Sequence, residues 1–365
     1  MNKIAFFLSD LDGGGAERVI LNLANGFAQQ GEFVDLVLAR KEGLYLGQID
    51  PGVNTIDLKA KSLFRSIPSL VKYLQNQRPQ AMISALEDTN IVALMAKILA
   101  RKKISVFVTV HNNLSQEIRH AQQWKRKIVP YFLRWIYPFA NRVVCVSQGV
   151  AQDLIKFGIK PQQIRVIYNP IVTPELIVKL QENLEHPWFL LGQPPVILGV
   201  GRLNHQKDFP TLIRAFALVR RVQPARLLIL GEGENRSELI SLIKELNLDT
   251  DVQLEGFVEN PFAYMKKAQV LVLSSAWEGF GNVLVEAMAA GIAVVSTDCP
   301  SGPEEILDKG KYGSLVAIAD SAAMAAAILN TLKNNVDPSW LKNRAEEFSL
   351  EKILDQYRLL IEKKL

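Results

Sequence analysis

Residues 270–297 read VLVLSSAWEGFGNVLVEAMAAGIAVVST, and the changes of pattern along them decide the fold. Val270 to Leu273 is a short continuous apolar run, as a buried strand requires. Glu278-Gly279-Phe280-Gly281 supplies a turn, Asn282 to Ala290 carries helical spacing, and Ala293 to Thr297 is a second buried run. Two strands joined through a helix are expected to be parallel neighbours, because a parallel pair needs a crossover. In such units ligands collect beyond the carboxyl ends of the strands, and the first N–H groups of the helix attract anions. A phosphate is therefore expected near Gly281 and Asn282. Glu278 precedes the helix and Glu286 lies about one turn inside it. A carboxylate repels phosphate but accepts from hydroxyl groups, so each glutamate is expected to face hydroxyls on either side of the phosphates. A diphosphate with a sugar at each end has that shape. The alternative is a pair of surface glutamates around an ordinary helix start.

The Glu-x7-Glu element EGFGNVLVE resembles the signature of the retaining glycosyltransferases of family 4, which have the GT-B fold. The resemblance continues in GVGRLNHQKD at residues 199–208 and GGGAER at residues 13–18, and it spans nearly the whole chain. It implies an α/β protein with two Rossmann-like doubly wound domains facing an interdomain cleft. The expected division is an acceptor-side domain over residues 1–169 and a linker over 170–193. A donor-binding domain follows over 194–348, and a last helix over 349–365 packs back on the first domain. It also implies donor contacts from Phe280 and Val283 beside Gly281 and Asn282, ribose contact from Glu286, and sugar contact from Glu278. The backbone around Phe257 and Val258 would hold the base, and Ser301-Gly302-Pro303 would line the sugar pocket.

A chain of 365 residues exceeds what one core usually fills, and 48% hydrophobic content supports large folded cores. No apolar run is long enough to span a bilayer, and the start meets acidic residues too early for a secretion signal, so a cytoplasmic protein is expected. Cys145 and Cys299 sit in apolar contexts in different halves and read as buried thiols. The net charge of +5 is unevenly placed: residues 1–169 hold 22 Lys/Arg against 12 Asp/Glu, and the rest 20 against 25. The basic half is expected to meet something anionic, a phospholipid surface or a diphosphate-linked acceptor. No nucleic-acid motif accompanies it. The basic, aromatic segment QQWKRKIVPYFLRWIYPF at 122–139 would either lie on a membrane interface or pack its aromatic face on the first domain.

Further strand-like runs at 3–9, 33–39, 53–58, 80–84, 104–110 and 142–147 alternate with helical segments, which predicts a parallel sheet. The turn at Gly13, Gly14 and Gly15 feeds a helix over 16–30, apolar at Val19, Ile20, Leu23, Ala24 and Phe27. Glycines there let the backbone approach a ligand, and the resemblance turns Gly14 and Gly15 toward the donor phosphates and the acceptor. His111 follows the strand ISVFVTV at its carboxyl end, and its ordinary pKa straddles physiological pH; the resemblance sets it near the donor sugar. Arg202 and Lys207 follow the strand at 196–201. A charge-assisted hydrogen bond contributes about 1.5–3 kcal/mol, against about 0.3–1 kcal/mol for a helix dipole, so these two cations are expected to dominate diphosphate binding. Asp10-Leu11-Asp12 and Asp249-Thr250-Asp251 have metal-binding spacing but read as acidic turns.

The expected activity is retaining transfer of a hexose or N-acetylhexosamine from a UDP-linked sugar to a saccharide or lipid-linked acceptor. Glu278, His111, Arg202 and Lys207 would carry the chemistry, with no metal or other cofactor. Two rivals are a nicotinamide-dependent oxidoreductase, which should show G-x-G-x-x-G where this chain shows GGGAER, and a non-catalytic sugar-binding or membrane scaffold.

Overall fold

The computed structural model describes residues 3–120 and 132–362, which form two units. The first runs to Pro170 and takes back the chain from Leu350; the second is Ile171–Ser349.

The first unit holds a seven-stranded sheet in the order β3-β2-β1-β4-β5-β6-β7. Its strands are β1 (Lys3–Leu8), β2 (Phe33–Leu38), β3 (Val53–Asp57), β4 (Ala81–Ala85), β5 (Ser105–Val110), β6 (Arg142–Cys145) and β7 (Ile164–Val166), every neighbouring pair parallel. The second holds six parallel strands in the order β10-β9-β8-β11-β12-β13. These are β8 (Val196–Val200), β9 (Arg226–Leu230), β10 (Val252–Gly256), β11 (Val270–Leu273), β12 (Ala293–Thr297) and β13 (Ser314–Val316). Both sheets are the doubly wound α/β arrangement expected, with strand order reversing beside β1 and beside β8. The β11–helix–β12 unit forms as read, with Val270 opposite Ala293 and the helix spanning Asn282–Ala290. Strand β13 was not foreseen; it is a three-residue, half-buried strand at the sheet edge.

The strands are near-continuous apolar runs because helices cover both faces. Among the described strand residues the buried charged side chain is Asp35 in β2, only 1% exposed. It is satisfied by Asn54 Nδ2 at 2.7 Å, the Tyr73 hydroxyl at 2.7 Å and Lys3 Nζ at 3.1 Å. The helix Gly15–Gln29 buries Val19, Ile20, Leu23, Ala24 and Phe27, the stripe its spacing predicts. The helix Leu350–Glu362 buries Ile353, Leu354, Tyr357 and Ile361 in that same core. A Cβ on Gly26 would stand 2.8 Å from Leu354 Cδ1, so this glycine lets the two helices approach closely.

The stretch expected as a linker folds within the second unit from Ile171 onward. It includes the helix Pro174–Lys179, whose Lys179 carbonyl accepts from Asn260 Nδ2 at 2.9 Å. Of the basic aromatic segment, residues 122–131 lie outside the described residues. In the remainder Leu133 and Tyr137 are buried, while Phe132, Trp135 and Phe139 are exposed.

Candidate functional site

Strands β8 and β11 lie side by side where the second sheet's order reverses, so the loops leaving their carboxyl ends share one rim. The β8 exit delivers Lys207 and the β11 exit delivers Glu278, and the two meet: Lys207 Nζ donates to Glu278 Oε1 at 2.5 Å. Ser275 Oγ donates to the same oxygen at 2.6 Å. Glu278 is 6% exposed, which is sustainable for a carboxylate only because it is paired and hydrogen-bonded. Among the described residues Glu278 Oε2 takes no hydrogen bond. One ammonium proton serves Glu278, and two remain for another acceptor.

The backbone is shaped around this pair. Gly201 has φ +156°, and a Cβ there would meet the Lys207 stem at 3.0 Å; the missing side chain is the channel along which the lysine runs. Ser274 Oγ donates to the Lys207 carbonyl at 2.7 Å, tying the two strand exits together. Gln206 spans them again, its carbonyl accepting from Ala276 N at 2.8 Å and its Nε2 donating to the Trp277 carbonyl at 3.0 Å. Glu278 N donates to the Pro300 carbonyl, and Thr297 Oγ1 to the Ser275 carbonyl, so the β12 exit supports the loop from its other side. Gly302, at φ +100°, lies so close to Phe280 that a Cβ would be 1.8 Å from the Phe280 carbonyl oxygen.

Gly281 caps the helix Asn282–Ala290 at φ +98°, a left-handed conformation suited to glycine. Asn282 and Val283 follow in its first turn, and Glu286 is half-buried one turn on. Arg202 is exposed, and among the described residues no carboxylate lies within ion-pair distance of it. Phe257 and Val258 follow β10, with Phe257 exposed. Cys299 is buried, and burial together with the Glu278 charge pushes its thiol up to about 12. Both cysteines are buried free thiols, as expected.

In the first unit Gly14 is the N-cap of the helix Gly15–Gln29, directly after β1 where the sheet order reverses. The Tyr45 hydroxyl donates to the Gly13 carbonyl at 3.0 Å, and the Arg18 guanidinium stacks 4.0 Å over the Tyr45 ring. His111 leaves the carboxyl end of β5, 9% exposed, with Nε2 2.8 Å from Thr109 Oγ1. Burial lowers its pKa from 6.5 to about 4. His111 is therefore uncharged near neutral pH, away from the ordinary imidazole value.

The acidic turns have structural partners. Asp10 pairs with Arg40 at 2.8 Å, and Asp251 with Arg220 at 2.8 Å and Arg226 at 3.1 Å. Among the described residues no three His, Cys, Asp or Glu side chains gather as a metal-binding group. His186 instead caps Trp188 N, and His120 and His205 are exposed.

Sequence reasoning identified both members of the Lys207–Glu278 pair but not their contact. It also missed Ser275, Gln206 and Thr297. The signal available was a pair of serines at the end of an apolar strand, which becomes informative only once the neighbouring exit is known.

Two family descriptions match the chain, "Glycosyltransferase Family 4" over residues 13–174 and "Glycosyl transferases group 1" over 181–348. A Campylobacter jejuni relative is 31% identical over 95% of this chain and 94% of its own length. It is named N-acetylgalactosamine-N,N'-diacetylbacillosaminyl-diphospho-undecaprenol 4-alpha-N-acetylgalactosaminyltransferase. The Escherichia coli lipopolysaccharide 1,6-galactosyltransferase is 25% identical over 98% of both chains. Among solved structures, Anabaena HepE in complex with UDP and glucose superimposes with a TM-score of 0.80 over 100% of both chains at 21% identity. The apo galactosyltransferase WaaB does so with a TM-score of 0.76 over 100% of both, also at 21%.

Proposed function

The chain belongs to the family 4 glycosyltransferases, and on that premise we propose that it moves a hexose or N-acetylhexosamine from a UDP-linked donor to a saccharide or lipid-linked acceptor, with retention. The observation that carries the donor assignment is the ion pair of Lys207 and Glu278 at the reversal of the second sheet. Lys207, with two further ammonium protons, and the exposed Arg202 would bind the diphosphate and stabilise the charge that grows on it as the glycosidic bond breaks. Glu278 would receive a sugar hydroxyl on Oε2. The pair ties the phosphate-binding cation to the sugar-binding carboxylate, so that both ends of the donor are positioned by one contact.

Glu286 would hold the ribose hydroxyls, and the N–H groups near Gly281 and Asn282 would meet phosphate between Phe280 and Val283. The backbone at Phe257 and Val258 would meet the base. From the first unit, Gly14 and Gly15 would approach the donor phosphates and His111 a sugar hydroxyl or the acceptor. Front-side displacement, in which the leaving phosphate takes the acceptor proton, needs neither a protein base nor a metal. UDP rather than another nucleotide is supported by the ligand named with HepE. A lipid-linked acceptor is supported by the acceptor in the Campylobacter enzyme's name.

Calorimetric titration with UDP, GDP and NAD tests the donor assignment, and incubation with UDP-sugars followed by NMR of the product's anomeric centre tests transfer and retention. UDP is expected to bind and NAD to give no heat. Lys207→Ala should weaken UDP by roughly 10- to 150-fold, the equivalent of about 1.5–3 kcal/mol. No uptake of UDP or of any UDP-sugar would sink the reading.

Membrane contact, as a peripheral protein, is assigned to the first unit. Phe132, Trp135 and Phe139 are 60%, 67% and 52% exposed there, and the first half of the chain carries the basic excess. Among the described residues no helix is long and apolar enough to cross a membrane. Trp135→Ala should reduce co-sedimentation with anionic vesicles and leave neutral vesicles unaffected.

A further inference from the structure

His111 and Thr109 are two residues apart at the end of β5, so their side chains leave the same face and the imidazole lies back over the hydroxyl. Thr109 Oγ1 is 2.8 Å from His111 Nε2 and 2.9 Å from the Ser84 carbonyl oxygen. The hydroxyl has one proton and the carbonyl can only accept, so the proton points at Ser84. The hydroxyl lone pair then faces Nε2, and that contact is a hydrogen bond only if Nε2 carries the ring proton.

A buried polar network surrounds the pair. Ser84 Oγ donates to Asn90 Oδ1 at 2.7 Å, and Asn90 Nδ2 donates to the Thr109 carbonyl at 2.9 Å and to the Tyr137 hydroxyl at 3.2 Å. Ser84, Asn90, Thr109 and Tyr137 are fully buried, so no water competes to rotate the threonine hydroxyl. Burial also keeps the ring neutral near pH 7, which leaves a single proton to place.

We propose that Thr109 is a positioning residue that locks His111 with its proton on Nε2, so that Nδ1 faces its ligand as a bare acceptor. Such a ring takes an O–H donor and cannot donate to a phosphate or carboxylate. This deepens the functional reading, on which it rests for the identity of the ligand: of the groups in a nucleotide sugar or its acceptor, His111 meets a hydroxyl and not the diphosphate.

The full chain has four histidines, so labelling with ¹⁵N-histidine and recording long-range ¹H–¹⁵N correlations at pH 7.5 reads each ring's tautomer directly. The signal missing from His111→Gln identifies His111. The wild type is expected to show protonated Nε2 and bare Nδ1. Thr109→Val should mix the tautomers and lower kcat/KM for a UDP-sugar about fivefold to tenfold, whereas Thr109→Ser should keep both near wild type. A wild-type ring protonated on Nδ1 overturns the proposal, as does a Thr109→Val ring with an unchanged tautomer. If Thr109→Val does not fold, the wild-type and Thr109→Ser spectra still decide. A locked Nε2–H ring in a protein that turns over no activated sugar would overturn the transferase reading and leave the lock standing.

Discussion

At the scale of single residues, burial moves the titration of His111 away from neutral pH. Its pKa falls from 6.5 to about 4 in the folded chain because burial penalises the imidazolium. As pH drops below 6.5 the unfolded chain takes up a proton that the folded chain refuses, and stability falls until the folded ring titrates near 4. Between pH 7 and pH 5 this one group should cost about 2 kcal/mol. Urea denaturation of wild type and His111→Gln at the two pH values measures it: the variant's loss of stability is expected to be smaller by that amount. Glu278 is a buried carboxylate whose one oxygen accepts from both Lys207 and Ser275. Glu278→Gln should raise KM for a UDP-sugar, and lower kcat/KM at least tenfold, because the amide carries no charge to pair with Lys207 and puts an NH2 donor where Oε2 would accept a sugar hydroxyl.

At the scale of elements, the loop 274–281 works because two glycines fill different steric roles. Gly281 is left-handed with ordinary contacts, its would-be Cβ no nearer than 3.6 Å to Leu273. Gly281→Ala should therefore cost only backbone strain, about 1–2 kcal/mol. Gly302 also has a positive φ, but its Cβ would overlap the Phe280 carbonyl at 1.8 Å. Gly302→Ala must move the loop that carries Glu278, and UDP-sugar affinity should fall along with stability. Thermal unfolding and UDP titration on the two variants separate strain from displacement. The spacing of Glu278 and Glu286 was legible in the sequence, as was the helix between the strands. Gly302 read as a turn residue lining the sugar pocket, but its contact with Phe280 was not legible, since Phe280 lies on another strand exit.

At the scale of the whole molecule, the chain passes through the second unit and returns to finish the first. The returning helix Leu350–Glu362 contributes Leu350, Ile353, Leu354, Tyr357 and Ile361 to a core begun by β1 and the helix Gly15–Gln29. Leu354→Ala is expected to cost about 2–5 kcal/mol. Gly26→Val should destabilise by about 1–3 kcal/mol through overpacking against Leu354 and Leu350. Ending the chain at Ser349 should unfold the first unit while the second stays folded. Hydrogen exchange resolved by peptide reads all three, with loss of protection expected in β1 and β2 and none in β8 or β11.

The sequence by itself determined the two parallel α/β units and the strand–helix–strand centre, and it supplied the residues proposed here for a diphosphate site. Those properties are written in local periodicity: apolar runs, helical spacing and glycines at turns, each read within a few residues. Only the tertiary structure decided that Lys207 reaches Glu278, 71 positions away, and that the acidic turns at Asp10 and Asp251 are consumed by arginines. It also decided that His111 is neutral and bonded to Thr109. Ion pairing and desolvation depend on distance through space, which here follows from β11 lying beside β8 and not beside its sequence neighbour β10.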